Sequence, residues 1–238
     1  MSSTPITSFV TKILTLAGAA AFCYAVVWVS PLTIISRSLS LEHSLFFRQF
    51  EQHFWQYSIA FTAVIILSRG HLWSYGINSQ NLKSSMIWLS WLYAAVIAVT
   101  VLSILMGKEL LPTDASGSAA GSAESVIASL VYWMSSPVAN QILFYSFLQS
   151  VLMKQWGDSV KLSGFPLPVV IASIIFASAA PSSHFGAEPY FFLPTFLLGL
   201  FCGTVYWKTN SLITPMLGQA FFFGFPFFIH LLRTGTAQ

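Results

Sequence analysis

The chain has 238 residues, of which 55% are hydrophobic and 7% charged, with a formal net charge of +3 and a mean hydropathy of +0.73. A soluble domain carries about 25% charged residues, so a water-facing globular enzyme is excluded, and charge this sparse and scattered excludes a nucleic-acid binder. The apolar residues fall into runs long enough to cross a hydrocarbon core, each needing about 20 helical residues; the expected fold class is all-α, a polytopic transmembrane bundle of about seven to eight membrane helices.

The first predicted span is 9–35, behind Lys12 and with Pro31 near its end. Ala19, Ala20 and Ala21 sit in mid-stretch, which favours a first transmembrane helix over a cleaved signal. Spans 50–68 and 86–106 follow, the latter with Trp88, Trp91 and Tyr93 placed for an interfacial aromatic belt. A segment containing DASGSAAGSAE is small, polar and aperiodic, and is expected to be a flexible loop over 107–124. Next come 124–136 and 137–156, with Ser135 and Ser136 as caps and Pro137 in the first turn of a new helix. Spans 165–180, 191–208 and 211–232 complete the series. The organisation expected is one transmembrane domain over 1–238: N-terminal helices to 106, the loop, and a core over 125–232.

The connections after 68, 156 and 208 carry Arg69 with Lys83, Lys154 with Lys161, and Lys208. The positive-inside rule puts them on the cytoplasmic side and the loop bearing Glu109, Asp114 and Glu124 outside, provided 124–156 makes one net crossing. The lack of an internal repeat disfavours a transporter built from two related halves. Cys23 and Cys202, far apart within apolar runs, are expected to be buried free thiols. Gly199 and Gly203 form a GxxxG that points to close helix packing. The compact length and short N-terminus point to a bacterial inner membrane.

Chemistry inside a bilayer normally relies on ionisable side chains within spans. The seven acids, Glu42, Glu51, Glu109, Asp114, Glu124, Asp158 and Glu188, all fall in predicted loops or at span edges. So do the five histidines, His43, His53, His71, His184 and His230, and none has HExxH spacing. No cofactor or metal is expected. The interior polar residues are neutral: Asn140, Gln141, Tyr145, Ser146, Gln149 and Ser150 on one helix, and Gln219 on the last. Gln141 and Tyr145 share a face, and Asn140 lies about 100° round from Gln141. Such residues act as hydrogen-bonding glue between helices, and several on one helix mark a polar site in the bundle.

These residues carry a resemblance. SSPVANQILFYSFLQSVL is similar to the first motif segment of the CPBP or Abi family of intramembrane proteases, which includes the CAAX-prenyl endopeptidases. The family motif Glu-Glu-x-x-x-Arg is matched by Asn140 and Gln141 at the glutamate positions and Tyr145 at the arginine. The second motif, Phe-x-x-x-His, aligns with FASAA, keeping Phe176 and placing Ala180 at the histidine. LLGLFCGTVYWKTNSLITPMLGQAFFF resembles the third region, where His-x-x-x-Asn or Asp is replaced by Gln219 and Phe223. The ordered set spans about 137–225, within the CPBP-like core over 125–232.

The resemblance implies a protease bundle in which glutamate and histidine activate water. A carboxamide approximates the shape of a carboxylate but takes no proton at neutral pH, and losing a general base typically costs about 10²–10⁴ in rate. The first expectation is therefore a catalytically inactive homologue acting as a membrane scaffold or regulatory partner, in contact with membrane lipid and with a membrane-protein partner or substrate helix. A second is a live endopeptidase with an altered site, with His184 and Glu188 as rescuing groups, or Ser146 or Ser150 working with Lys154. A third is a small transporter or channel subunit.

Overall fold

The computed structural model describes residues 5–29, 34–39, 45–78, 81–107, 123–179 and 192–235. Within them the chain is mostly helical. The expected loop over 107–124, from residue 108 to 122, lies outside the described residues, as do Ala180, His184 and Glu188.

Helix α1 runs Pro5–Val29, α2 Ile34–Ser38 and α3 Leu45–Ser68. A 3-10 turn, Leu72–Tyr75, leads through Gly76 to α4, Leu82–Met106. Gly107 ends α4 in the left-handed region (φ 63°), its N–H closing on the Ile104 and Ser103 carbonyls. Next come α5 (Ala123–Asn140), a π-helical segment (Gln141–Gln149) and α6 (Ser150–Trp156), in unbroken succession. A two-residue antiparallel ladder, β1 (Lys161–Leu162) with β2 (Phe165–Pro166), precedes α7 (Leu167–Ala179), α8 (Phe192–Thr209) and α9 (Ile213–Gly235).

The expected helix start at Pro137 is corrected. Ser135, Ser136 and Pro137 lie inside α5, and the Ser135 hydroxyl bonds back to the Val131 carbonyl at 2.7 Å instead of capping a new helix. Proline removes one intrahelical hydrogen bond, but α5 packs along α3 and α9 and is held through the defect. The separate 124–136 and 137–156 spans are therefore one helical rod. Of the predicted span 9–35, the described residues place 9–29 in α1 and Ile34 and Ile35 in α2.

Helices α5 and α3, α7 and α8, α4 and α9, and α5 and α9 form the main packed pairs. The core between them includes Cys23, Val64, Leu143, Phe144, Leu148, Phe176, Leu198 and Cys202. Both cysteines are free and buried. The outer surface is apolar: Leu14, Trp28, Ile66, Ile87, Trp91 and Leu105 are exposed, as suits faces turned to lipid. Among the described residues, Phe9–Trp28 and Leu82–Met106 are long and apolar enough to cross a membrane, and Leu167–Ala179 is a shorter apolar helix.

The turns at one end are tied together. Asn78 donates to the Asn210 carbonyl at 2.7 Å, Asn81 to the Thr209 carbonyl at 3.2 Å, and the Leu212 N–H to the Gly76 carbonyl at 3.0 Å. Arg69, Lys83, Lys154 and Lys208 thus share this end, and Lys208 Nζ lies 4.7 Å from the Trp88 ring centroid.

Candidate functional site

The polar residues that stood out in the sequence are gathered by the π segment. Every residue from Gln141 to Gln149 is buried. A π turn accommodates one more residue than an α turn and is often found at functional sites. Gln141, Tyr145 and Gln149 turn toward α8 and α9. Gln141 Nε2 donates to Gln219 Oε1 at 2.7 Å, Tyr145 Oη to the Gly199 carbonyl at 3.2 Å, and Gln149 Nε2 to the Gly203 carbonyl at 2.9 Å. The two glycines let α8 approach: a Cβ on Gly199 would stand 3.1 Å from Ser173 Cβ, and one on Gly203 2.8 Å from Gln149 Oε1. The GxxxG therefore serves close packing and exposes carbonyls to the polar row.

Asn140, a third of a turn away, faces α3. It accepts from Gln56 Nε2 at 2.7 Å and donates to Ser136 Oγ at 3.2 Å. The motif-position aromatics complete the site as packing: Phe176 is fully buried, its ring centroid 6.0 Å from that of Tyr145, and Phe223 is buried against Phe222. Asn140, Gln141, Tyr145, Phe176, Gln219 and Phe223 are therefore all in the bundle core. Gln141 Oε1 and Gln219 Nε2 are buried without a hydrogen-bond partner. No described side chain at a motif position can accept a proton near neutral pH.

One expectation is overturned. Glu51 and His53 lie in no loop; they are on the second and third turns of α3, 4% and 2% exposed. The helix begins five residues earlier than predicted span 50–68 because Leu45–Phe50 continues it, despite the polar Arg48 and Gln49. Glu51 Oε1 accepts from the Ile35 N–H at 2.6 Å and from Trp55 Nε1 at 3.2 Å. His53 Nδ1 lies 2.9 Å from Ser135 Oγ, with the Tyr132 ring 5.2 Å away. The one signal available in sequence was spacing: Glu51, Trp55 and Ser58 on one stripe, His53, Gln56 and Ala60 on another. Among the described residues, no three His, Cys, Asp or Glu side chains are grouped to hold a metal ion.

Two helices of membrane-crossing length and a polar row enclosed by the bundle define a helical membrane protein with an internal hydrogen-bonded site. Residues 122–225 match the Rce1-like family, described as type II CAAX prenyl endopeptidase Rce1-like. This is the stretch that carries the three degenerate motifs, and the match there agrees with the resemblance to CAAX proteases that they carry. No curated protein and no solved structure gives a significant match.

Proposed function

We propose that the chain is a catalytically inactive relative of CAAX-type intramembrane endopeptidases, serving as scaffold or regulatory partner in a bacterial inner membrane. With 124–156 as one rod, the bundle would cross that membrane about seven times. The observation that carries this reading is the Gln141–Gln219 contact. The positions at which the family resemblance implies glutamate and histidine hold two carboxamides bonded to each other at 2.7 Å. Neither can cycle a proton near neutral pH. A neutral, hydrogen-bonded interior keeps the helix arrangement without the cost of an uncompensated buried charge. Such a bundle can hold a membrane-protein partner or a substrate helix without cutting it.

The altered-site endopeptidase is the second reading, favoured by the buried His53–Ser135 contact. Its geometry does not commit the hydroxyl to the ring. The Val131 carbonyl at 2.7 Å competes with His53 Nδ1 at 2.9 Å for the single Ser135 proton, and the ring's tautomer decides which accepts it. A general base must take the nucleophile's proton.

Both readings are tested by reconstituting the full chain in proteoliposomes with farnesylated CAAX peptides. The expected result is saturable peptide or partner binding with no release of the C-terminal tripeptide above protein-free vesicles. Turnover abolished by Glu51→Gln or His53→Ala would overturn the inactive reading.

A further inference from the structure

A cleft of about 260 Å³ opens at the basic end of the bundle, between α6, the end of α8 and the 3-10 turn. Its floor is closed: Gln149 is fully buried, and the Ser150 and Tyr206 hydroxyls bond each other at 2.7 Å. What the cleft offers a ligand lies on its more exposed wall, formed by Ser74, Lys154, Trp207 and Asn210.

That wall is rich in donors. Lys154 Nζ donates to Tyr75 Oη at 2.6 Å, and an ammonium has three donors, so two remain. Asn210 Nδ2 gives one hydrogen to the Trp73 carbonyl at 3.0 Å, which leaves the second. Trp207 contributes an indole N–H, which can only donate. Among the described residues no carboxylate lines the cleft; Asp158, one turn beyond Lys154, is not part of the wall. A lysine that only snorkels keeps its head in water; here the ammonium is turned onto Tyr75, 4.3 Å from the ring centroid, at the side of a cavity. The one charge in the wall is therefore positive and has no anion to offset it. An oxyanion satisfies it, whereas a headgroup cation brought into the cleft would meet only like charge.

The surroundings of the cleft indicate the source. Trp73, 64% exposed, and the Lys208–Trp88 pair lie at the same end, the arrangement of a membrane–water boundary. The volume falls below the roughly 300–1,000 Å³ of drug-sized sites, which suits one headgroup phosphate and leaves acyl chains outside. We infer that this cleft binds the phosphate of a phospholipid carrying net negative charge, through Lys154 Nζ with Asn210 Nδ2 beside it. Selection is by charge: an anionic phospholipid is favoured over a zwitterionic one, and headgroup hydroxyls are not read. A free phosphate ion would meet the same donors. This inference rests on the membrane location and not on catalytic inactivity.

The test is native mass spectrometry of the full chain in detergent, titrated with phosphatidylmethanol, phosphatidylglycerol and phosphatidylcholine of matched acyl chains. Phosphatidylmethanol has the anionic phosphate but no headgroup donor and no headgroup cation. It and phosphatidylglycerol are each expected to bind at one site about tenfold more tightly than phosphatidylcholine, an effect of about 1.4 kcal/mol. Lys154→Met is expected to lower phosphatidylmethanol to the affinity of phosphatidylcholine. Ser74→Asp, at an exposed position, sets a repelling carboxylate in the wall and is expected to weaken phosphatidylmethanol about tenfold. Lys83→Met removes a lysine from the same end that does not line the cleft, and should leave the preference intact. Displacement of phosphatidylmethanol by inorganic phosphate would show that the free ion also enters; its failure would assign the site to the lipid-borne phosphate. Equal affinity for phosphatidylmethanol and phosphatidylcholine overturns the proposal. So does a preference that survives both Lys154→Met and Ser74→Asp, or one that Lys83→Met removes as fully as Lys154→Met does, since that would be diffuse surface charge.

Discussion

The side-chain amide of Gln141 donates to that of Gln219 across 2.7 Å, and both residues are fully buried. One oxygen and one nitrogen of the pair stay unpartnered. Leaving a buried polar group unsatisfied costs about 1–3 kcal/mol, whereas replacing both partners by apolar groups of similar shape is nearly neutral. Gln141→Leu and Gln219→Leu are each expected to destabilise the chain by about that amount, and the double variant to recover most of it. Thermal unfolding of the four proteins in one detergent checks the cycle; additive losses would show that the amides do not act as a pair.

Glu51 places a carboxylate where α3 meets α2. Its Oε1 accepts from the Ile35 backbone at 2.6 Å and from the Trp55 indole at 3.2 Å. Hydrogen bonds to charged groups contribute about 1.5–3 kcal/mol. Glu51→Leu is expected to release α2 first, since five residues form little helix without tertiary support. Hydrogen exchange followed by mass spectrometry should show faster exchange over Ile34–Ser38 and little change in the π segment.

The same residue marks the limit of what could be read from sequence. The polar positions on 140–150 and the shared face of Gln141 and Tyr145 were legible because helical spacing alone orders them. The burial of Cys23 and Cys202 followed from their apolar flanks. Glu51 and His53 were misplaced because Arg48 and Gln49 resemble the polar edge of a span, and only packing against α5 shows that the helix continues. Ser135-Ser136-Pro137 failed for a related reason. The triplet suits a helix start and a proline inside a helix equally well, and the choice was made by α3, whose His53 and Gln56 meet Ser135 and Asn140. The π register, which no local signal announced, sets where Gln149 meets Gly203.

Gly76 is held at φ 79°, and an added Cβ would meet the ring of Tyr206. A non-glycine residue in the left-handed region costs of order 1–3 kcal/mol before any collision. Its carbonyl also accepts from the Leu212 N–H at 3.0 Å, so the strain falls on the joint between the two turns. Gly76→Ala is expected to lower the melting temperature by more than Gly70→Ala. Gly70 also has a positive φ, 82°, but nothing within 4 Å of its Cβ position, so the difference between the two isolates the collision with Tyr206.

Gly203 separates packing from polarity on α8. A Cβ there would stand 2.8 Å from Gln149 Oε1, 3.0 Å from Val169 Cγ1 and 3.2 Å from Tyr145 Cε1. The nearest of these is the end of a flexible side chain, so Gly203→Ala is expected to displace the Gln149 amide and break its bond to the Gly203 carbonyl. Overpacking typically costs about 1–3 kcal/mol. Gln149→Ala removes the obstructing amide, so adding Gly203→Ala to it should cost less than adding the same change to the parent chain. Directly contacting pairs commonly show coupling of about 0.5–3 kcal/mol. At Gly199 the opposing atoms are Phe176 Cδ1, Ser173 Cβ and Ser173 Cα, at 3.1, 3.1 and 3.2 Å, all on α7 and none on Gln149. Gly199→Ala should therefore destabilise the parent chain and the Gln149→Ala variant to the same extent. Unfolding measurements across the two cycles would show coupling at Gly203 alone; equal coupling at both glycines would mean that α8 shifts as a rigid body.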